Sequence, residues 1–527
     1  MKHKFLLLCF SIFLSVCAHA QRENNNWLFG NKAGLTWNTT QDFAATGAFG
    51  TANATLSGIP TTIASEINTF EGCFSISDVS GNLLFYSDGM KIWDKNNQVM
   101  PNGSGLNGHS SSAQSGIVVP YPGQANKYIV FALGFQNANN LSYSIVDMTL
   151  KGNGTTIAPL GDVVSGQKNI PLTGHSGALG ESLTAVWDAA GNNVWLVAVG
   201  RTTTTCYFNV WKIDGSGVHT SGHSTASIAK ATTPAFACGY IMFSRDGKSF
   251  AWAVIKETFI VYGSFDNATG IFNNLKSRDM RAYDEGPSYG IAFSNSGKYL
   301  YVSGEPDTPS LPFGSYLEVY DFQTLLAAGT PNSVSPLRSF DIGKSYSDGT
   351  NGHLAAIMMG PDNRLYASMP YSNSLYVITN PDDAPASLNI YELAGVLGTG
   401  KSQHGLPTFM APWFNIEIIP PFRSEACRDV AANYTLEVYG GYRFDDVKSI
   451  VIDWGDGTSN RMAPPTIGSF VYSHIYRKRG NHTITITPYS DVMETTPIVE
   501  QIKTTNVKVS SCILPVNHNI SVMGYYD

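Results

Sequence analysis

The stretch Phe243-Ser244-Arg245-Asp246-Gly247-Lys248-Ser249-Phe250-Ala251 decides the fold of this chain. It places a polar Asp-Gly turn between two short runs that contain apolar residues. Glycine tolerates the positive φ of a tight turn, and alternating apolar residues on either side of such a turn are typical of paired strands. The stretch therefore predicts a β-hairpin.

The same pattern recurs along the chain. Phe293–Tyr301 nearly duplicates it, further copies begin at Ile76, Trp187 and Met359, and a weaker copy lies at Pro122-Gly123. The gaps between the turn residues are 110, 56, 50 and 66 positions, and the weaker copy fills the first gap; these turn residues are Gly81, Gly191, Gly247, Gly297 and Asn363. Repeats of about 50 residues with several strands each are typical of β-propellers.

We therefore predict an all-β fold with a β-propeller over residues 21–415. Six repeats are visible, and the strand around Trp27–Gly30 could combine with the late strand around Leu406–Phe409 to close the ring. This arrangement predicts seven blades, with six or eight as alternatives. A closed ring leaves no long unpaired strand edge.

The composition agrees with β-structure and limits the partners. The chain has 51 Gly, 26 Tyr and 27 Phe but only 14% charged residues, which favours sheets over helical bundles. The net charge is −7, and binding to nucleic acid requires a basic surface. We therefore expect no nucleic-acid partner.

The first 20 residues have the pattern of a secretory signal peptide. Two lysines in Met1–Lys4 precede the apolar run Phe5–Cys17, and Ala18-His19-Ala20 is a small-x-small cleavage pattern. We expect a mature chain that begins at Gln21 and is exported to the cell surface, the medium or the periplasm. An alternative is lipid attachment at Cys17, since Leu14–Cys17 loosely resembles a lipoprotein box. No later stretch is long and apolar enough to predict a transmembrane segment.

The composition changes after the proline pair Pro420-Pro421, which predicts a linker over residues 416–426 and a new domain over 427–512, followed by a tail at 513–527. Strand patterns surround the turn Trp454-Gly455-Asp456-Gly457, and about 85–95 residues with short strands suit an immunoglobulin-like sandwich. Cys427 and Cys512 lie at the two ends of this segment, and we predict that they form a disulfide.

The C-terminal segment resembles the PKD (polycystic kidney disease) domain family. The resemblance rests on the W-G-D-G turn of Trp454, Gly455, Asp456 and Gly457, and on His474, Tyr476 and Gly480 downstream. It implies that Trp454 is a core residue, that Asp456 shapes the turn, and that His474 and Tyr476 lie on a packed strand. Such domains are usually spacers or adhesion modules, so none of these residues is expected to be catalytic.

Residues 24–415 resemble the propeller regions of Bacteroidetes secreted and gliding-associated proteins. The resemblance rests on Asn26–Leu35, Gly81–Gly89 and Met100–Gly103. Those proteins often end in a sorting domain for type IX secretion of roughly 80 residues, whereas only Ile513–Asp527 follow Cys512 here. Delivery to the outer surface by that route is therefore not implied.

Three further cysteines follow the signal segment: Cys73, Cys206 and Cys238. They lack the spacing of a zinc site, and we expect neither a metal nor a cofactor. Cys206 and Cys238 could pair between neighbouring strands or remain separate. Cys73 is then the odd cysteine and is expected to be a small buried residue.

The metalloprotease motif H-E-x-x-H is not found in the sequence. Histidines that could converge on a propeller channel are His109, His175, His219, His223, His353 and His404, and acids that could act as an acid–base pair are Glu181, Asp284, Glu285 and Glu305. We expect these residues to lie in loops or on a solvated rim.

Two functions follow. The main hypothesis is a non-catalytic binding, adhesion or structural protein, whose propeller face binds a protein or glycan and whose PKD-like domain is a spacer. Trp93, Trp187 and Tyr371 would then be exposed contacts on rim loops. The alternative is a hydrolase or lyase that acts on polysaccharide in the propeller channel. Two or three acids or histidines close together in one funnel would favour catalysis.

Overall fold

The computed structural model describes residues 23–78, 80–136, 138–189, 191–230, 238–254, 259–280, 288–304, 315–341, 354–411, 415–419, 424–439, 447–466, 468–495, 497–498 and 502–512. Several predictions concern positions outside these ranges: the signal peptide with Cys17, the start at Gln21, the tail 513–527, and His353, Asp284, Glu285 and Glu305. The described chain forms two compact units, and the first ends at Asn415.

The first unit begins with three strands, β1 (Asn26–Phe29), β2 (Ala33–Ala48) and β3 (Ala54–Thr62). Six antiparallel sheets follow, each with four strands in chain order as neighbours. Sheet 1 consists of β4 (Phe74–Ser77), β5 (Leu83–Ser87), β6 (Lys91–Asp94) and β7 (Val99–Ser104). Sheet 2 consists of β8 (Gly116–Pro120), β9 (Lys127–Ala132), β10 (Ser142–Asp147) and β11 (Asp162–Val163), and β12 (Ile170–Pro171) also pairs with β10.

Sheet 3 consists of β13 (Ala178–Trp187), β14 (Val194–Arg201), β15 (Thr205–Asp214) and β16 (Gly217–Val218), and β17 (Ser224–Ala229) also pairs with β15. Sheet 4 consists of β18 (Ile241–Phe243), β19 (Ser249–Ala253), β20 (Phe259–Asp266) and β21 (Ile271–Asp279). Sheet 5 consists of β22 (Ser288–Phe293), β23 (Tyr299–Gly304), β24 (Tyr316–Asp321) and β25 (Arg338–Asp341). Helix α1 (Phe322–Ala327) and a 3-10 turn (Pro331–Ser333) follow β24. Sheet 6 consists of β26 (Ile357–Met359), β27 (Leu365–Ser368), β28 (Leu375–Ile378) and β29 (Ile390–Leu393), with a 3-10 turn at Pro385–Ser387.

The repeated sequence pattern forms the first hairpin of each sheet. In all six sheets the turn between the first and second strands coincides with one of the repeat copies, including the weaker copy at Pro122-Gly123. The turn residues have the positive φ that such turns need, for example +66° at Gly247 and +61° at Asn363. The local sequence therefore determines where each sheet begins.

Apolar side chains between neighbouring sheets form the core. Between sheets 3 and 4, the rings of Phe208 and Phe250 lie 5.1 Å apart, and Phe272 packs against both at 5.4 and 4.6 Å. Burying an aromatic side chain of this size contributes roughly 2–3 kcal/mol. Because the first strands of successive sheets lie side by side, this packing arranges the sheets as propeller blades.

The N-terminal strands lie between sheets 6 and 1. On one side, the rings of Trp27 and Trp37 pack against Tyr366 of β27 at 5.8 and 5.4 Å. On the other side, the Asn26 side chain donates to Ser77 Oγ at the end of β4, at 2.8 Å. Strand β2 also extends to pair with β29. These contacts close the ring.

The predicted seventh sheet is wrong in its pairing. Trp27 lies in β1, which pairs with β2, and Phe409 meets Trp27 only through its side chain, with ring centroids 6.0 Å apart. Residues 406–409 instead bond to other sheets. Within the described residues, six sheets have four-stranded paths and the N-terminal strands join the sixth. Hairpin signals are local, whereas this closure depends on pairing between distant parts of the chain.

Residues 402–411, which we call the central segment, bond to the first strands of several sheets. Thr408 N donates to Cys73 O at 2.8 Å, beside sheet 1, and Ala411 N donates to Ala185 O of sheet 3 at 3.0 Å. The Tyr240 hydroxyl, next to sheet 4, bonds both the N–H and the carbonyl of Leu406 at 2.9 Å. The central segment therefore lies at the axis of the ring.

The second unit is a sandwich of two sheets. Its strands are β30 (Asn415–Ile419), β31 (Glu425–Cys427), β32 (Ala432–Tyr439), β33 (Ser449–Asp453), β34 (Ser459–Met462), β35 (Gly468–His474), β36 (Gly480–Tyr489) and β37 (Lys503–Ser510). One sheet has the order β30-β32-β35 and the other β31-β37-β36-β33-β34. Parts of the predicted linker 416–426 therefore belong to β30 and β31, because their backbones pair with the sandwich.

The prediction of an all-β chain with a propeller and an immunoglobulin-like sandwich is confirmed. The disulfide between Cys427 and Cys512 is present, with the two Cα atoms 5.3 Å apart. Across the described ranges, no helix has the length and apolar character needed to cross a membrane.

Candidate functional site

The W-G-D-G turn of the second unit is built by local contacts. Trp454 is buried, and its ring stacks on His474 with centroids 4.6 Å apart and planes 5° apart. Asp456 accepts from Thr458 N at 3.0 Å, and its second oxygen pairs with His474 Nε2 at 2.9 Å. The Tyr476 hydroxyl donates to the Trp454 carbonyl at 3.1 Å.

The two glycines of this turn have positive φ, +73° at Gly455 and +93° at Gly457. A Cβ at Gly455 would lie 2.4 Å from the Thr483 carbonyl oxygen. The turn therefore requires glycine at position 455 for space as well as for conformation. These contacts give the motif residues packing and turn-forming roles.

The structure does not bring the candidate histidines together. His109 stacks on Phe135, His175 bonds the Gly177 carbonyl, His219 pairs with Asp214 at 2.8 Å, and His223 packs on Trp195. Each of these four has its own local partner. Of the candidate histidines within the described ranges, His404 lies on the central segment.

Two of the three predicted aromatic contacts are core residues. Trp93 lies in β6, is 7% exposed, and stacks on Tyr86 with ring centroids 5.4 Å apart. Trp187 ends β13 and is 3% exposed. Both occupy strand positions that pack against other residues, so the prediction that they are exposed rim contacts is wrong. Tyr371 is half-buried on the loop between β27 and β28.

Two buried glutamates lie next to the axis. Glu71 precedes β4, accepts from the Tyr289 hydroxyl through Oε1 at 3.1 Å, and accepts from Ser111 Oγ through Oε2 at 3.1 Å. Glu181 lies in β13 and accepts from Gln136 N at 2.8 Å and from Ala113 N at 3.1 Å. The carboxylates therefore connect strands of sheets 3 and 5 with loops next to sheets 1 and 2.

The environment of Glu71 favours its neutral form. Burial in the protein interior, followed by the negative charge of Glu181, raises the pKa of Glu71 from 4.5 to about 8. The neighbouring His404 and the hydrogen bonds from Tyr289 and Ser111 act in the opposite direction. Glu71 therefore carries a proton at neutral pH.

Aromatic rings surround His404. Its ring lies 4.4 Å from Phe70, 6.1 Å from Tyr289 and 6.1 Å from Tyr371, measured between centroids. Phe70 and Tyr371 lie 6.2 Å apart, and Phe70 is 36% exposed. The buried acid is thus covered by rings that reach the surface.

The loops around these rings are joined by backbone hydrogen bonds. Phe70 N donates to Ser110 O at 3.0 Å, and Tyr371 N donates to Ser402 O at 2.9 Å. His109 stacks on Phe135 at 4.8 Å in the adjoining loops of sheet 2. We call this surface the axial patch: the rings of Phe70, His109, Phe135 and Tyr371, with the polar residues Ser111 and Gln136.

Sequence reasoning named Glu181, His404 and Tyr371 but missed Glu71 and Phe70. A signal for Glu71 was present in the repeat: Glu71 and Glu181 both stand ten residues before a turn glycine, Gly81 and Gly191. Equivalent positions in a repeat lie at equivalent places on the ring. The shared register could therefore have placed both acids beside the axis.

The cysteines of the first unit are buried. Cys73 is a free thiol next to the central segment, and burial raises its pKa well above the ordinary value. Cys206 lies in β15 and Cys238 precedes β18, and their pairing remains a prediction. No group of three or more His, Cys, Asp or Glu side chains within the described ranges is placed to bind a metal ion.

No protein-family model matches the sequence, and no curated protein sequence matches it. Solved structures are similar at low identity. A PKD domain of an M14-like peptidase from a Thermoplasmatales archaeon is 17% identical, covering 18% of this chain and 92% of that chain, with a TM-score of 0.14. A functionally unknown protein from Desulfotomaculum acetoxidans is 14% identical, covering 67% and 93%, with a TM-score of 0.35.

A GH74 enzyme from Niastella koreensis is 10% identical, covering 92% of this chain and 67% of that chain, with a TM-score of 0.30. At these TM-scores the similarities assign neither a family nor an activity. The fold and the candidate site therefore rest on the contacts described above.

Proposed function

We propose that this chain is an exported, non-catalytic binding or adhesion protein whose axial patch binds a partner protein or glycan. The observation that carries the proposal is the exposed ring of Phe70, together with Tyr371, above a buried carboxylate. Aromatic side chains that are partly exposed next to polar groups are typical contacts of binding surfaces. The second unit then acts as a spacer.

The hydrogen bonds of the two glutamates support binding rather than catalysis. Both oxygens of Glu181 receive backbone N–H groups, and both oxygens of Glu71 receive hydroxyl groups of the protein. A catalytic acid or base must reach its substrate within hydrogen-bond distance. The carboxylates instead connect loops of the ring.

Export is supported by the disulfide between Cys427 and Cys512, since disulfides persist mainly in oxidising compartments. The signal pattern of residues 1–20 agrees with export. We place the protein at the cell surface, in the medium or in the periplasm.

One observation favours the alternative, a polysaccharide hydrolase or lyase. The pKa of Glu71 is raised to about 8 next to a second carboxylate, Glu181, and such pairs can divide the roles of acid and base. Incubation of the mature chain with polysaccharides, followed by measurement of reducing ends or unsaturated products, tests this alternative. Turnover that is lost in Glu71→Gln would replace the binding proposal.

The binding proposal is tested with arrays of glycans and of purified surface proteins. We expect at least one ligand to bind the mature chain and to bind Phe70→Ala at least tenfold more weakly. Ile157→Ala is the matched control, because Ile157 is 96% exposed and lies on the loop between β10 and β11, at the opposite end of sheet 2 from Phe135. Equal loss in both variants would contradict a role of the axial patch.

A further inference from the structure

We propose that the ligand of the axial patch is a neutral oligosaccharide, with one sugar ring stacked on Phe70 beside Tyr371. This inference rests on the binding function proposed above and names the ligand class for the same surface. It follows from the shape of the aromatic surface, the kind of polar groups beside it and the charge beneath it.

The aromatic surface suits the flat C–H face of a pyranose. Phe70 is 36% exposed, and Tyr371 lies 6.2 Å from it at an interplanar angle of 51°. His404 packs against Phe70, with ring centroids 4.4 Å apart. Because this support fixes the Phe70 ring before a ligand arrives, little side-chain freedom is lost on binding.

The polar side chains of the patch are neutral hydroxyl and amide groups. Ser111 and Gln136 lie on the loops bonded to Glu71 and Glu181. A sugar hydroxyl both donates and accepts, so hydroxyl and amide groups can satisfy it from either side.

The charge beneath the patch selects against anionic ligands. Glu71 and Glu181 are buried, and the negative charge of Glu181 already disfavours a second charge on Glu71. His404, Tyr289 and Ser111 also face Glu71, and Tyr240 lies close enough to be affected by its charge. A uronic acid or sulfated sugar would add another negative charge in a region of low dielectric.

The test uses a panel of neutral gluco-, galacto-, manno- and xylo-oligosaccharides, with uronic-acid oligosaccharides of matched length. The full mature chain is measured by titration calorimetry at pH 7. We expect binding of a neutral member, weakened at least tenfold in Phe70→Ala, retained in Phe70→Tyr because an aromatic ring remains, and unchanged in Ile157→Ala.

Three other results would overturn the neutral-sugar inference, and they differ in what they mean for the binding function. Binding of uronic-acid oligosaccharides as tightly as neutral ones overturns the neutral-sugar inference but leaves the binding function. If only a purified surface protein binds, and this binding is lost in Phe70→Ala, the neutral-sugar inference is also overturned while the binding function is kept. If no sugar and no protein binds, both the inference and the proposed function are overturned.

Discussion

Glu71 shows how one buried side chain connects the parts of the ring axis. It precedes sheet 1, receives hydroxyl groups from sheets 2 and 5, and lies close to Glu181 and to His404 of the central segment. Taking a carboxylate out of water favours its protonated form, and a nearby negative charge adds to this effect. The pH dependence of stability should therefore report on this site.

Glu71→Gln should change how stability depends on pH. Between about pH 4.5 and about pH 8 the unfolded chain has an ionised Glu71, whereas the folded chain keeps it protonated, so wild-type stability falls as pH rises through this window. Glutamine does not titrate. The free energy of unfolding of wild type relative to Glu71→Gln should fall by roughly 1 kcal/mol per pH unit.

Urea unfolding of both proteins at pH 5, 6, 7 and 8 measures this difference. Because other groups titrate in both proteins, only the difference between them reports on Glu71. A difference that stays constant from pH 5 to pH 8 would show that Glu71 ionises normally in the folded state.

At the scale of elements, the path of the central segment is the feature that the sequence predicts least well. Asp-Gly turns between apolar runs predict the hairpins, and the W-G-D-G turn predicts a buried Trp454, since both signals lie within a few residues. The path of residues 402–411 depends on contacts with Cys73, Ala185 and Tyr240, which are far away in the sequence. Periodicity cannot encode such contacts, nor could it show that Trp93 and Trp187 are buried.

Gly405→Ala should destabilise the first unit. A Cβ at this position would lie 1.9 Å from the Glu71 carbonyl oxygen, so the central segment and the start of sheet 1 would have to separate. We expect a loss of about 2 kcal/mol or more, measured by thermal or urea unfolding. Gly329→Ala is the control, because nothing lies within 4 Å of its Cβ position. If the two variants were equally stable, the close approach between position 405 and the Glu71 carbonyl oxygen would be contradicted.

Tyr240→Phe should weaken the same segment without changing its shape. The substitution removes the hydroxyl that bonds both backbone groups of Leu406 and leaves them buried without that partner. The expected cost is about 1–3 kcal/mol. Hydrogen exchange at the Leu406 amide should also become faster, and unchanged exchange there would argue against this contact.

At the scale of the whole molecule, the disulfide lies in the second unit, whereas the ring closure by the N-terminal strands lies in the first unit. Cys427 and Cys512 are 85 positions apart, and the bond lies at the end of the parallel pairing between β31 and β37, where Cys427 pairs with Ser510. Cross-linking distant residues lowers the entropy of the unfolded chain, which stabilises the folded state.

Cys427→Ser combined with Cys512→Ser should destabilise the second unit by on the order of 4 kcal/mol. Hydrogen exchange measured on separate peptides should become faster in β33 and β36 and stay unchanged in β14 and β20. Faster exchange in both units would show that the bond acts beyond the sandwich.

The position of the central segment has a consequence for the order of folding. Residues 402–411 bond to Cys73, Ala185 and Tyr240, so the ring cannot reach its final packing until nearly 400 residues after Trp27 are available. Contacts between such distant positions slow folding, since a long loop must close before they form. A chain that is exported from its N-terminus would therefore complete the ring only after residues 402–411 had crossed the membrane.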